Sequence, residues 1–156
     1  MKRSTDLGER NLSAFQILRY PHLQQLIEDG ASILPMVNQF EIHVELQQAE
    51  LVKYCRDNKI IAQAYSPFGG QGAPVLQRLG GFTQPASAVA LKAAAWLADS
   101  VVLKSATTVS IMENFRQVND SWELSTAELD EIARLDVGTH YCWDPYTISY
   151  YLVEFS

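Results

Sequence analysis

The feature that most restricts this chain is an order met three times along it: an apolar run of strand length, then a polar turn, then a segment with helical periodicity. Met36 to Val44 alternates, with Met36, Asn38, Phe40 and Ile42 on one face and Val37, Gln39, Glu41 and His43 on the other. It predicts a strand whose second face is unusually polar. Gln47 to Asp57 sets Leu51, Tyr54 and Cys55 on one helical stripe. Ile60-Ile61-Ala62-Gln63-Ala64-Tyr65 is a second strand, closed by Ser66-Pro67-Phe68-Gly69-Gly70. An Ala-rich helix from about Ser87 to Ala98 leads to a short third strand, Val101-Val102-Leu103. Lys104-Ser105-Ala106-Thr107-Thr108 follows, with Ile111, Phe115 and Val118 at helical spacing behind it. Parallel neighbours need a helical crossover, so this alternation predicts βα units in the α/β class.

The flanks fit the same frame. Leu23, Leu26 and Ile27 mark a short amphipathic helix stopped by Gly30, the residue that tolerates a left-handed cap. Ser125-Thr126-Ala127-Glu128 has the form of a capping box, and Leu129, Ile132 and Leu135 give the last helix a core stripe to about Leu135. The Gly-rich stretch through Gly81 is expected to be the least ordered part. The aromatic tail from Asp136 to Ser156, with Trp143-Asp144-Pro145, is expected to pack on a surface. No solenoid repeat or linker divides residues 1–156, which are read as one domain.

Composition narrows the function. Lys and Arg total 12 against 18 Asp and Glu, a net charge of -6 with no block of like charges, which argues against nucleic-acid binding. The basic start at Met1-Lys2-Arg3 has no apolar run behind it, and no stretch approaches the roughly 20 apolar residues of a membrane span, so neither a signal peptide nor a membrane partner is expected. Cys55 and Cys142 form no CxxC pair and no zinc-ligand spacing with His22, His43 or His140. No metal site is expected, and a reducing, cytoplasmic setting fits.

Ligand sites of parallel α/β proteins gather at the carboxyl ends of their strands, and here those ends are polar and specific. Val37-Asn38-Gln39-Phe40-Glu41-Ile42-His43, then Ala64-Tyr65-Ser66-Pro67-Phe68-Gly69, then Val102-Leu103-Lys104-Ser105-Ala106-Thr107 with Glu113-Asn114, resemble three successive motifs of the aldo-keto reductases. The resemblance covers roughly Leu12 to Pro145, in matching order and spacing. It implies a partial (β/α)8 TIM barrel, roughly the last three to four βα units, and NADP as cofactor.

The resemblance also implies roles. Ser13 and Gln39 fall where the family hydrogen-bonds the nicotinamide carboxamide, and Tyr65 where a ring stacks on the nicotinamide face. Ser66 and Phe68 fall in the loop that wraps the pyrophosphate, Phe68 in place of the usual leucine. Lys104, Ser105 and Thr107 lie where the pyrophosphate and adenosine 2'-phosphate are gripped, and Glu113 and Asn114 match the adenine-contacting pair.

The chain also departs from the family pattern. Asn11-Leu12-Ser13-Ala14-Phe15 has Ala14 where an asparagine amide is usual, and Ser110 replaces the arginine that clasps the 2'-phosphate, so NAD stands as the alternative cofactor. A whole eightfold barrel needs about 250 residues. The missing first half carries the family's tyrosine proton donor, its supporting lysine and aspartate, and a histidine, none of which has a matching position here; His43 belongs to another motif. No catalytic residue is therefore assigned. The expectation is an aldo-keto-reductase-like protein whose family reduces aldehydes and ketones with NAD(P)H, catalytically incompetent as an isolated chain. The alternative is a non-catalytic dinucleotide-binding or protein-interaction module. A small carbonyl compound is the expected substrate of an active form, and the open edges of half a barrel predict self-association or pairing with another half-barrel.

Overall fold

Three short strands in one parallel sheet position everything else. In a computed structural model, which describes residues 18–31, 34–70 and 72–142, β1 (Val37–Glu41) pairs with β2 (Ile61–Tyr65), and β2 pairs with β3 (Ser100–Val102). Helices fill the crossovers: α2 (Ala49–Asp57) between the first two strands, α3 (Val75–Arg78) and α4 (Ala86–Leu97) between the second and third. Before β1 comes α1 (Tyr20–Glu28), and after β3 come α5 (Thr108–Asn119) and α6 (Thr126–Ala133). This is the expected α/β order with parallel strands.

Period-two alternation decides the faces. Asn38, Phe40, Ala62 and Ala64 point to the helical layer and are buried with Leu23 of α1 and Leu51, Val52 and Cys55 of α2. A second apolar cluster gathers Val44, Val75, Leu79, Val89, Ala90, Ala93 and Ile132, tying α3, α4 and α6 to the loop after β1. Within that layer Lys92 is buried on α4, and its ammonium is satisfied by the Asp120 carbonyl at 3.0 Å. The Trp122 ring lies 5.5 Å from the same ammonium, a further favourable contact for a desolvated cation.

Several boundaries differ from the sequence reading for local reasons. β1 ends at Glu41 because His43 and Leu46 bridge each other in a tight antiparallel turn instead of continuing the ladder. β3 is shifted one residue earlier, beginning at Ser100 opposite Gln63. The Gly-rich stretch, expected to be the least ordered, contains α3, held because Val75 and the following Leu79 lie four residues apart and are both fully buried. At α6 the capping box is formed: the Ser125 hydroxyl accepts from the Glu128 amide while the Glu128 carboxylate accepts from the Ser125 amide at 2.8 Å.

Among the described residues both edges of the sheet, β1 and β3, have no outer partner strand. Among the described residues β3 pairs only with β2, and α5 beyond it buries none of its residues. Ile111 and Phe115 of α5 are 53% and 64% exposed. Among the described residues no helix is long and apolar enough to cross a membrane.

Two outcomes follow. Ile132→Ala, which empties a fully buried site, should cost about 3 kcal/mol, against about 1 kcal/mol for Ser125→Ala at the cap, both read by urea unfolding. The wild-type chain should bind an exposed-hydrophobe dye and sediment as more than a monomer, with both signals reduced in Ile111→Asp/Phe115→Asp; a dye-silent monomer would contradict the open face.

Candidate functional site

Parallel pairing in register brings the strand ends level. Glu41 of β1 lies opposite Tyr65 of β2, and Tyr65 opposite Val102 of β3. One layer deeper, Gln39, Gln63 and Ser100 face one another in the same way. Their side chains form a ladder across the sheet: the Gln39 amide donates to Gln63, whose own amide donates to the Ser100 hydroxyl at 2.7 Å. Gln39 is thus held in a polar layer below the rim.

Above that layer Tyr65, Ser66, Pro67, Phe68 and Gly69 meet Val102, Leu103 and Lys104 around a cleft of about 370 Å³. Two of the three strand-end segments singled out in the sequence therefore share one cavity. Ser66 sits in the left-handed region at φ 54°, a conformation a non-glycine residue rarely adopts, and its carbonyl accepts the Gly69 amide at 2.8 Å. This tight turn sends the loop back over the strand end.

The segment after β3 divides its residues between roles. Lys104 is exposed at the cleft. Thr107 is the N-cap of α5: its hydroxyl accepts the Ser110 amide at 3.2 Å and pairs with the Ser110 hydroxyl at 2.9 Å. Ser105 and Asn114 lie in a separate groove on the α5 side, where the Asn114 amide donates to the Ser105 hydroxyl at 2.7 Å. Glu113 is exposed on α5. Ser13 and its neighbour Ala14 lie outside the described residues. The cleft thus gathers Tyr65, Ser66, Phe68 and Lys104, and leaves Gln39 deeper, Thr107 in the cap, and Ser105, Asn114 and Glu113 along α5.

The residues that sequence reasoning missed are two buried carboxylates. Glu41 and Glu45 are each 2% exposed. Glu41 accepts the backbone amides of Tyr141 at 2.9 Å and Cys142 at 3.1 Å, and its carboxylate meets His43 and His140, each at 3.2 Å. The Glu45 amide donates to His43 Nδ1 at 3.3 Å, which leaves Nε2 to face Glu41. Glu45 in turn accepts the Tyr141 hydroxyl at 2.7 Å and the Arg78 guanidinium at 3.0 Å. The only signal available beforehand was the polar second face of β1; nothing local showed that residues 136–142 would return to it.

These contacts fix the electrostatics. Burial alone would raise the Glu41 carboxyl, but the His43 ring and the amides of Tyr141 and Cys142 outweigh it and hold the group below its ordinary 4.5. Tyr141 moves the other way: donating to Glu45, together with its burial, pushes the phenol above its ordinary range. Cys142 is also raised, chiefly by burial. Among the described residues no three His, Cys, Asp or Glu side chains converge as metal ligands.

A folded-state value below the unfolded one means that ionised Glu41 contributes stability fully above pH 4.5, and that this is lost as pH falls through the folded value. The stability gap between wild type and Glu41→Gln should therefore be widest near neutrality and shrink in acid, as urea unfolding across a pH series will read. A gap that does not change with pH would contradict this assignment.

Comparison with known proteins places this geometry in context. No family model matches the chain. It is 35% identical over 135 residues to the methylglyoxal reductase DkgA of Escherichia coli K12, covering 80% of this chain and 46% of that protein. Over 52 residues it is 42% identical to the glycerol 2-dehydrogenase (NADP(+)) of Saccharomyces cerevisiae, 33% of this chain and 17% of that one. A crystal structure of an aldo-keto reductase enzyme from a Medee basin deep-sea metagenome library superposes with a TM-score of 0.71 at 28% identity, covering 85% of this chain and 51% of that one. The chain spans about half the length of the curated relatives that it matches along most of its own length.

Proposed function

The chain is related to the aldo-keto reductases, and on that premise we propose that its cleft binds the phosphate-bearing part of a nicotinamide dinucleotide. The observation that carries this reading is the convergence of Tyr65, Ser66, Phe68 and Lys104, from the ends of two neighbouring parallel strands, on one cavity. An exposed ammonium beside a hydroxyl and a tight turn is suited to a pyrophosphate, since a charge-assisted contact outweighs a neutral one. The Tyr65 ring offers a flat apolar platform at the same rim. When bound, the nicotinamide group supplies hydride; the chain's own residues bind and orient it.

NADP is the cofactor we favour, in line with the name of the yeast relative, and NAD is its competitor. Discrimination rests on the 2'-phosphate, and no arginine stands at Ser110. Both Thr107 and Ser110 use their hydroxyls on each other in the α5 cap, leaving Lys104 as the permanent charge nearby. Ser105 and Asn114 fit an adenosine extending along the α5 groove, with Glu113 exposed on the same helix, and Gln39 fits the carboxamide; Ser13 lies outside the described residues.

Carbonyl reduction by the isolated chain is not expected. Proton donation needs an acid brought toward neutrality. The phenol of Tyr141 and the thiol of Cys142 are instead both raised. We propose residues 1–156 as one truncated domain whose open side is closed by a complementary half-barrel, which would bring the acid and the site for a small carbonyl substrate.

Titration of the purified chain with NADPH should give saturable binding, weakened about tenfold to a hundredfold by Lys104→Ala, the loss of one charge-assisted contact. Turnover of methylglyoxal should be absent. No saturable binding would overturn the nucleotide reading, and steady turnover by pure chain would overturn the assignment of incompetence.

A further inference from the structure

Residues 136–142 cross the strand ends as a strap, and their fastening is unusually polar for a buried contact. The Glu45 carbonyl accepts the amides of Val137 and Thr139, both at 3.2 Å, and the Glu41 carboxylate then takes His140, Tyr141 and Cys142 in succession. A carboxylate desolvated to this degree is stable only while its donors stay in place, so strap and strand are coupled.

The far side of the strap touches the cleft. The Cys142 thiol donates to the Ser66 hydroxyl at 3.1 Å. Tyr141 lies so close to the loop that a Cβ on Gly70 would come within 2.8 Å of the Tyr141 carbonyl oxygen, and one on Gly69 within 3.0 Å of its ring. Glycine is needed here for close approach. The loop so held is the one with Ser66 in the left-handed region, and such backbone strain persists only where surrounding contacts over-determine it.

We propose that Glu41 is a positioning residue for the cleft: it clamps residues 140–142, and through Cys142 and Tyr141 the clamp keeps the Ser66–Gly70 loop in its cleft-lining shape. The functional part rests on the nucleotide-binding reading. Glu41 does not line the cleft beside Lys104, so its effect on a ligand there is transmitted through the strap. Two independent lesions should release the same clamp: Glu41→Gln from the carboxylate side and Gly70→Ala from the loop side.

The test uses the full chain and NADPH. Glu41→Gln and Gly70→Ala should each weaken NADPH about tenfold, and the double variant should be no weaker than the worse single one, because sites acting through one contact are not additive. Amide hydrogen exchange should rise in residues 66–70 of both variants while the core of α4 stays protected, a pattern general destabilisation does not produce. If wild type binds NADPH and both variants bind as tightly with unchanged exchange, the clamp is overturned. If wild type takes no NADPH, the nucleotide reading fails, and local exchange in residues 66–70 alone decides the clamp. Should Glu41→Gln not fold, Gly70→Ala and Cys142→Ala give the same decision without disturbing the buried carboxylate.

Discussion

Parallel pairing in register is the constraint on which the rest of the molecule depends. Because β1, β2 and β3 run the same way, Glu41, Tyr65 and Val102 finish at one level and their following loops emerge on one rim. A hairpin would have sent alternate loops to opposite ends of the sheet. Two consequences share that rim: an exposed lysine beside a tight turn, and a buried carboxylate that holds the returning strap against it.

The same pairing creates the molecule's principal liability. A parallel sheet that superposes on about half of a solved barrel leaves, among the described residues, an unpaired row of donors and acceptors at β3 and another at β1. The apolar face of α5 borders the β3 edge, where Ile111 and Phe115 stay exposed along a groove shared with Ser100 and Val101 of β3. The cleft rim carries an exposed lysine and a tight turn, while the phenol of Tyr141, within the returning strap, is pushed above its ordinary range by Glu45.

Legibility in the sequence followed the range of the interactions. Strand and helix order could be read because period-two and helical stripes are local, and the α6 cap because Ser125 and Glu128 are three residues apart. The tip of β1 was read too long, since His43 and Leu46 close a turn that alternation alone does not reveal. α3 was missed because its glycine-rich surroundings masked the Val75 and Leu79 pair. In the candidate site, Tyr65, Ser66, Phe68 and Lys104 were found together. The hydroxyls of Thr107 and Ser110 were already engaged in capping, which only the backbone geometry of α5 discloses. Glu41 was legible as a polar residue and not as an anchor, because its partners Tyr141 and Cys142 lie about a hundred residues away.

The most direct measurement is amide hydrogen exchange of the whole chain with and without saturating NADPH. A nucleotide seated across the strand ends should slow exchange in residues 66–69 and in residues 103–105 together, at the same ligand concentration. Protection of only one segment, or protection confined to residues distant from both, would contradict a shared nucleotide cleft.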